Sequence, residues 1–172
     1  MKRRPEMKVK DVMTAGARSC MTETSLAGAA ATMWENDCGA LPVVGVEDKV
    51  VGMITDRDIC FGATTKNRPP AEVSVGEVIT GKLFACSPED DIREALKTMR
   101  RERVRRLPVV DEDGTLAGIV SMNDVVLKAE GKADGHAPEL SYDDVVETYK
   151  AICAHNLLPQ LAARPGALAA GA

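Results

Sequence analysis

The chain repeats itself at a fixed distance of 66 residues. "GMIT", ending on Thr55, is followed three residues later by Asp58, and "GIVS", ending on Ser121, is followed at the same spacing by Asp124. The same offset aligns "VKDVMT" from Val9 with "VGEVIT" from Val75, Cys20 with Cys86, and "LPVV" at Leu41 with "LPVV" at Leu107. No insertion or deletion interrupts the match over about fifty residues. Exact spacing held that long means two copies of one structural unit, and it limits the fold more than any single motif does.

Each copy reads alike. A short turn, Val9 to Met13 or Val75 to Ile79, leads to a brief strand around Cys20 or Cys86. An amphipathic helix follows, with apolar residues at i, i+3, i+4 and i+7: Leu26, Ala29, Ala30 and Met33, then Ile92, Ala95, Leu96 and Met99. In the second copy "SPED" predicts Ser87 as the N-cap with Pro88 at the first helical position. "LPVV" is a strand, the acidic turn after it ("DEDG" in the second copy) favours a hairpin, and a return strand ends on the hydroxyl residue. A last helix starts there. The order is β-α-β-β-α, twice, an α/β (α+β) chain.

Composition removes several functions. Of 172 residues, 45% are hydrophobic and 28% charged, which is a globular balance. No apolar run approaches the roughly 20 residues that span a bilayer, and "MKRRPEMKVK" has no apolar segment behind it to make a secretory signal. A net charge of −4 with 3% aromatics argues against nucleic acid as a partner. Five cysteines without a CxxC pair suggest reduced thiols and a cytoplasmic setting. Cys20 and Cys86 read as matched small hydrophobes on matched strands. His136 and His155 fit no metal-ligand spacing, and neither a Gly-rich phosphate loop nor a nucleophile elbow occurs, so an enzyme is not expected.

The "LPVV", hairpin, "G-h-x-[Thr/Ser]-x-x-Asp" series in tandem resembles a pair of CBS (cystathionine β-synthase) motifs, together a Bateman module, over roughly residues 7 to 130. The resemblance implies two motifs packed through their sheets about a pseudo-twofold axis, with two clefts between them that often bind adenosine-containing ligands. It also implies pairing into a homodimer, which would bury the helix faces near Ile59 and Val125. The corresponding divisions are residues 7–64 and 75–130 for the motifs and 65–74 for a polar connector. Residues 131–158 hold a loop and a C-terminal helix, and 159–172 a flexible tail. That helix has Ser141 as N-cap, Asp144 in the box position, and Val145, Tyr149, Ile152 and Asn156 near one face.

The hydroxyl and carboxylate at the start of each last helix admit two compatible readings. They have capping-box spacing, which needs no ligand. An ionised Asp is also an acceptor-only group suited to the two donors of a ribose cis-diol, beside the free N–H groups of a helix start. The copies differ just before "LPVV". The second has "RRERVRR" and the first "WENDCGA". Arg100, Arg101 and Arg103 suit a solvated helix C-terminus, whereas Arg105 and Arg106 lead into a buried strand.

By the resemblance, Arg105 and Arg106 reach phosphates in the cleft of Thr55 and Asp58, and Ala17, Arg18, Cys38, Gly39 and Arg57 complete that first site. The second site is then Leu83, Phe84, Val104 and Arg105 with Ser121 and Asp124. Only uncharged Gly39 and Ala40 face it from the other motif. The expected function is a regulatory sensor of an adenosine nucleotide, AMP or ATP foremost, with no catalytic cofactor, acting on an effector protein in trans. The alternatives are a dimerisation scaffold with empty clefts, or a sensor of S-adenosylmethionine or NAD.

Overall fold

Strand β3 (Ala40–Val44) is apolar and buried along nearly its whole length, while its partner β4 (Val50–Thr55) alternates buried and half-buried residues. These patterns suit a sheet covered by helices on one face and half-covered on the other. The structure, a computed structural model, describes residues 6–131 and 138–154. Strands β1 (Thr14–Ala15) and β2 (Cys20–Met21) precede helix α1 (Leu26–Glu35) and the β3–β4 hairpin, and α2 (Asp56–Thr65) closes the first copy. The second copy contains α3 (Ile92–Glu102), the hairpin β5 (Arg106–Val110) and β6 (Leu116–Ser121), and α4 (Met122–Lys128). Helix α5 (Tyr142–Cys153) follows. The two sheets run β2-β3-β4 and β1-β6-β5.

The second copy's counterpart of β2 is reduced to one parallel bridge between Cys86 and Val109. Its helix also starts later than "SPED" predicts. The Ser87 N–H donates to Asp90 Oδ2 at 2.8 Å inside a separate turn, and Asp91 caps α3 by accepting from the Arg93 N–H at 2.7 Å. The local sequence offers two caps. The one adjoining Ile92 prevails because Ile92 is fully buried and its N–H donates to the Met7 carbonyl at 3.0 Å.

That bond belongs to a reciprocal exchange. The turn Val9–Asp11 opens the first copy in sequence, yet Val9 and Val12 are buried among Ile92, Leu96, Leu107 and Val120 of the second. Val73 and Val75, leading the second copy, are buried among Leu26, Leu41 and Ile54 of the first. Backbone bonds fix both crossings: Val9 N–H to Asp90 O at 2.9 Å, Leu26 N–H to Val73 O at 2.9 Å, and Val75 N–H to Thr24 O at 2.8 Å. Val73 lies within the polar connector, but it is fully buried.

Strand β1 makes the same crossing and pairs antiparallel with β6, Thr14 opposite Ile119 and Ala15 opposite Gly118. Gly118 is what admits it. A β-carbon at that position would lie 2.5 Å from the Thr14 carbonyl oxygen.

Helix α5 forms from Ser141 as the sequence indicates. Its box is closed by the Ser141 N–H to Asp144 Oδ2 at 2.9 Å and the Asp144 N–H to Ser141 Oγ at 3.2 Å. Val145, Thr148 and Ile152 are buried and Tyr149 packs beside them; Asn156 lies outside the described residues. The helix lies across α3 and α4, with Arg100 Nη1 donating to Thr148 Oγ1 at 3.2 Å. Val125 is fully buried in this cluster, so it cannot belong to the dimer face expected of it.

With the 66-residue offset, the residues under α5 (Leu96, Met99, Arg100, Val125) correspond to Ala30, Met33, Trp34 and Ile59. In the first copy no described element covers that surface. It is an open groove of about 530 Å³ beside Trp34, which is 88% exposed.

Because each copy holds part of the other's core, neither half should unfold alone. Val9→Ala and Val75→Ala should each cost about 1.5–3 kcal/mol. Each should also shift the urea midpoints for exposure of Cys20 (first core) and Cys86 (second core) together. Separate midpoints for the two thiols would show that the halves unfold independently.

Candidate functional site

Thr55 ends β4 with extended backbone, and Asp58 follows one helical turn on. The Asp58 N–H donates to Thr55 Oγ1 at 3.2 Å, while the Thr55 N–H (2.9 Å) and hydroxyl (2.7 Å) both donate to Asp58 Oδ2. This is a complete capping box. It occupies one carboxylate oxygen and leaves Oδ1 with no protein donor among the described residues. Ser121 and Asp124 repeat the geometry at 3.3, 2.8 and 2.5 Å. There the second oxygen is already engaged, since Thr14 Oγ1 donates to Asp124 Oδ1 at 3.3 Å. Its counterpart Thr80 lines the other cleft but does not bond Asp58.

Each corner opens on a cleft. The one at Thr55 and Asp58 has a volume of about 670 Å³ and gathers Arg57, Phe84, Val104, Arg105 and Arg106, together with Ala40, Met53, Asp56, Thr80, Lys82, Arg103 and Ile152. The one at Ser121 and Asp124, about 480 Å³, gathers Ala17, Arg18, Cys38 and Gly39, with Thr14, Gly16, Asn36, Asp37, Ala40, Arg106, Ile119 and Asn123.

Thr55, Arg57, Asp58, Arg105 and Arg106 therefore meet as the sequence suggests, but the apolar halves of the two sites change places. Ala17, Arg18, Cys38 and Gly39 lie with Ser121 and Asp124, whereas Phe84, Val104 and Arg105 lie with Thr55 and Asp58. The cause is the exchange of leading segments, which pairs Thr14 and Ala15 with β6 and sets Ile79 against Gly52 of β4, with Thr80, Lys82 and Phe84 following into the cleft of Thr55. Leu83 lines neither cleft and is 38% exposed.

The charges also differ from expectation. Arg103, which reads as solvated, caps α3 in a left-handed conformation (φ 56°) and lines the larger cleft. Its counterpart Asp37 (φ 47°) lines the smaller one. The larger cleft has five cationic linings (Arg57, Lys82, Arg103, Arg105, Arg106) against two carboxylates, Asp56 and Asp58. The smaller has two against two, and its Arg18 is held by Asn36 Oδ1 at 3.1 Å. It is not free of arginine, because Arg106 reaches it as well as the larger cleft. Arg57 is partly turned back along α2, its guanidinium 5.4 Å from the Phe61 ring centroid.

Sequence reasoning missed Ile152, which brings α5 to the rim of the larger cleft, and it missed Lys82 and Thr80. For Thr80 the offset was a signal, since it is the counterpart of Thr14, whereas Ile152 lies outside the repeats and carried none.

The profile of the CBS domain matches residues 9–62 and 75–131, and the chain belongs to that family. It is similar to Hypoxic response protein 1 of Mycobacterium tuberculosis, 34% identical over 144 residues, which cover 84% of this chain and 92% of that protein. The crystal structure of that protein with two coordinated zinc ions superposes with a TM-score of 0.66 at 33% identity, covering 72% of this chain and 100% of that one. CBSX2 in complex with AMP superposes with a TM-score of 0.60 at 26% identity, covering 70% and 93%. Among the described residues no group of three or more His, Cys, Asp or Glu is placed to hold a metal ion; His136 and His155 lie outside them. No described helix is long and apolar enough to cross a membrane.

All five cysteines are free thiols. Burial pushes the Cys20 thiol up to about 11; burial, with the nearby Asp90 carboxylate, pushes Cys86 up to about 12. Both should therefore stay protonated and unreactive in the native protein at pH 8, while exposed Cys60 and Cys153 are alkylated readily. Mass spectrometry of the alkylated protein checks this, and early modification of Cys20 or Cys86 would contradict it.

Proposed function

We propose that the protein is a cytoplasmic regulatory module that binds an adenosine nucleotide bearing phosphate, AMP or ATP foremost, in the cleft of Thr55 and Asp58. The open Oδ1 of Asp58 beside a surplus of cationic side chains carries this reading. The carboxylate accepts the ribose hydroxyls, the basic residues take the phosphate, and Met53, Phe84, Val104 and Ile152 offer the apolar wall a purine ring needs. A cleft of about 670 Å³ suits a ligand of this size.

The capping box supports the same reading, because it fixes the carboxylate before the ligand arrives. The AMP complex of the CBSX2 structure agrees with it. The cleft of Ser121 and Asp124 has balanced charge and a carboxylate already bonded to Thr14, so it is the weaker site. Binding shifts the packing of the two motifs, and the output passes to an effector protein in trans. Such a shift extends only as far as the ligand's differential affinity for the two packings.

Asp58→Ala should abolish detectable AMP binding at the first cleft by calorimetry. Each charged hydrogen bond lost is worth about 1.5–3 kcal/mol, whereas the lost cap costs the fold about 0.5–2 kcal/mol. Unchanged affinity in the folded variant would reduce Asp58 to a helix cap. Melting with AMP, ADP, ATP, NAD and S-adenosylmethionine separates a sensor from a scaffold, since a ligand that binds only the native state raises Tm.

A homodimer belongs to the same proposal, formed through the groove of the first copy. Trp34 protrudes beside an apolar hollow on the same surface, which is the self-complementarity that a twofold contact requires. Trp34→Asp should convert a micromolar dimer to a monomer in sedimentation equilibrium. A wild-type monomer would remove this interface.

A further inference from the structure

Under the 66-residue offset Ala40 and Arg106 are equivalent. Each is the first residue of its strand, and each pairs in register with the hydroxyl residue of its own copy, Ala40 with Thr55 and Arg106 with Ser121. Both line both clefts. The repeat thus brings one pair of positions to the boundary between the two sites, and there the first copy has a methyl group and the second a guanidinium. Among the described residues Arg106 has no hydrogen-bond or ion-pair partner for its guanidinium, and it is only half-buried.

Its Nη2 lies 3.7 Å from where a β-carbon on Gly39 would stand, so the side chain runs along the residue that bounds the smaller cleft. A β-carbon there would also come within 3.0 Å of Asp56 Oδ2. Glycine at 39 therefore leaves room for the Asp56 carboxylate, with the Arg106 guanidinium at ordinary contact distance beside it. Arg105, one residue earlier, lines only the larger cleft.

We infer that the two clefts share Arg106 as a single phosphate ligand, so that two anionic nucleotides bind with negative coupling. A guanidinium drawn onto the phosphate of a nucleotide in one cleft is withdrawn from the other. The cleft of Ser121 and Asp124 then keeps only Arg18, itself bonded to Asn36, as a cationic lining residue. The larger cleft has other cations and fills first. Adenosine, which carries no charge, has no use for Arg106 and should bind each cleft without regard to the other. The inference rests on the nucleotide reading of the clefts and adds a rule for how the second one fills.

The test compares two measurements of AMP affinity at the smaller cleft by calorimetry. One is the second binding step in the wild-type protein, when the larger cleft is full. The other is binding to Asp58→Ala, in which the larger cleft cannot fill. Affinity in Asp58→Ala should exceed that of the wild-type second step by about tenfold, within the usual range of coupling between sites. In Arg106→Gln and the double variant Asp58→Ala/Arg106→Gln the two values should converge, and adenosine should show no difference in either background.

Equal AMP affinities in the wild type and Asp58→Ala, or a difference that persists without Arg106, would overturn the inference. So would one AMP in the wild type and none in Asp58→Ala, since Arg106 would then serve a single cleft. Absence of any AMP binding to the wild type is a separate result, because it removes the nucleotide reading itself.

Discussion

Val9 and Val75 are each fully buried in the core of the copy to which they do not belong in sequence. The rest of the architecture depends on this exchange. It brings Thr14 to Asp124 and Thr80 to the cleft of Asp58, so each cleft is walled by both copies. Close contact is possible because the return strands carry glycine at the crossing. Gly118 meets the β1 backbone, and Gly52 faces Ile79 Cδ1, which would be 3.3 Å from a β-carbon there. A larger residue at Gly118 would push β1 off its sheet and open the smaller cleft with it.

Much of this was legible because it is local. Thr55, Ser121 and Ser141 cap their helices through an Asp three residues on, as that spacing requires. Cys20 and Cys86 are buried because small apolar side chains fit where the brief leading strands meet "LPVV". The exchange was not legible. A three-residue turn with one buried valine looks the same whichever core receives it, and the periodicity that identifies a helix or strand carries no record of its destination. The mistaken pairing of Ala17 and Arg18 with Asp58 follows from that blindness. Ser87 failed for another reason. Two capping residues lay four positions apart, and tertiary contacts at Ile92 chose between them.

The two readings of the Thr-x-x-Asp corner coexist without conflict. The box uses Oδ2, and a ligand would use Oδ1. Where the protein supplies its own donor to the second oxygen, as Thr14 does for Asp124, the corner becomes more purely structural. The copies thus keep one backbone design while diverging in electrostatics. Arg57 against Asn123, Lys82 against Gly16, Arg103 against Asp37 and Arg105 against Gly39 are the differences at matched positions that make the larger cleft cationic.

Helix α5 breaks the symmetry of the outer surface as these residues break that of the clefts. A tandem of two like units presents two like helical faces, and copies able to join at both could continue adding into chains or larger rings. Here one face is sealed by the protein's own helix, which holds Arg100 and buries Val125, and among the described residues nothing covers the Trp34 face. In the proposed pairing through that face, growth stops at two copies, because a particle with a single self-complementary face has nowhere to add a third. The seal also reaches the larger cleft through Ile152. In the dimer proposed above, the element that closes off the second face is therefore in contact with the cavity whose contents the pair would have to report.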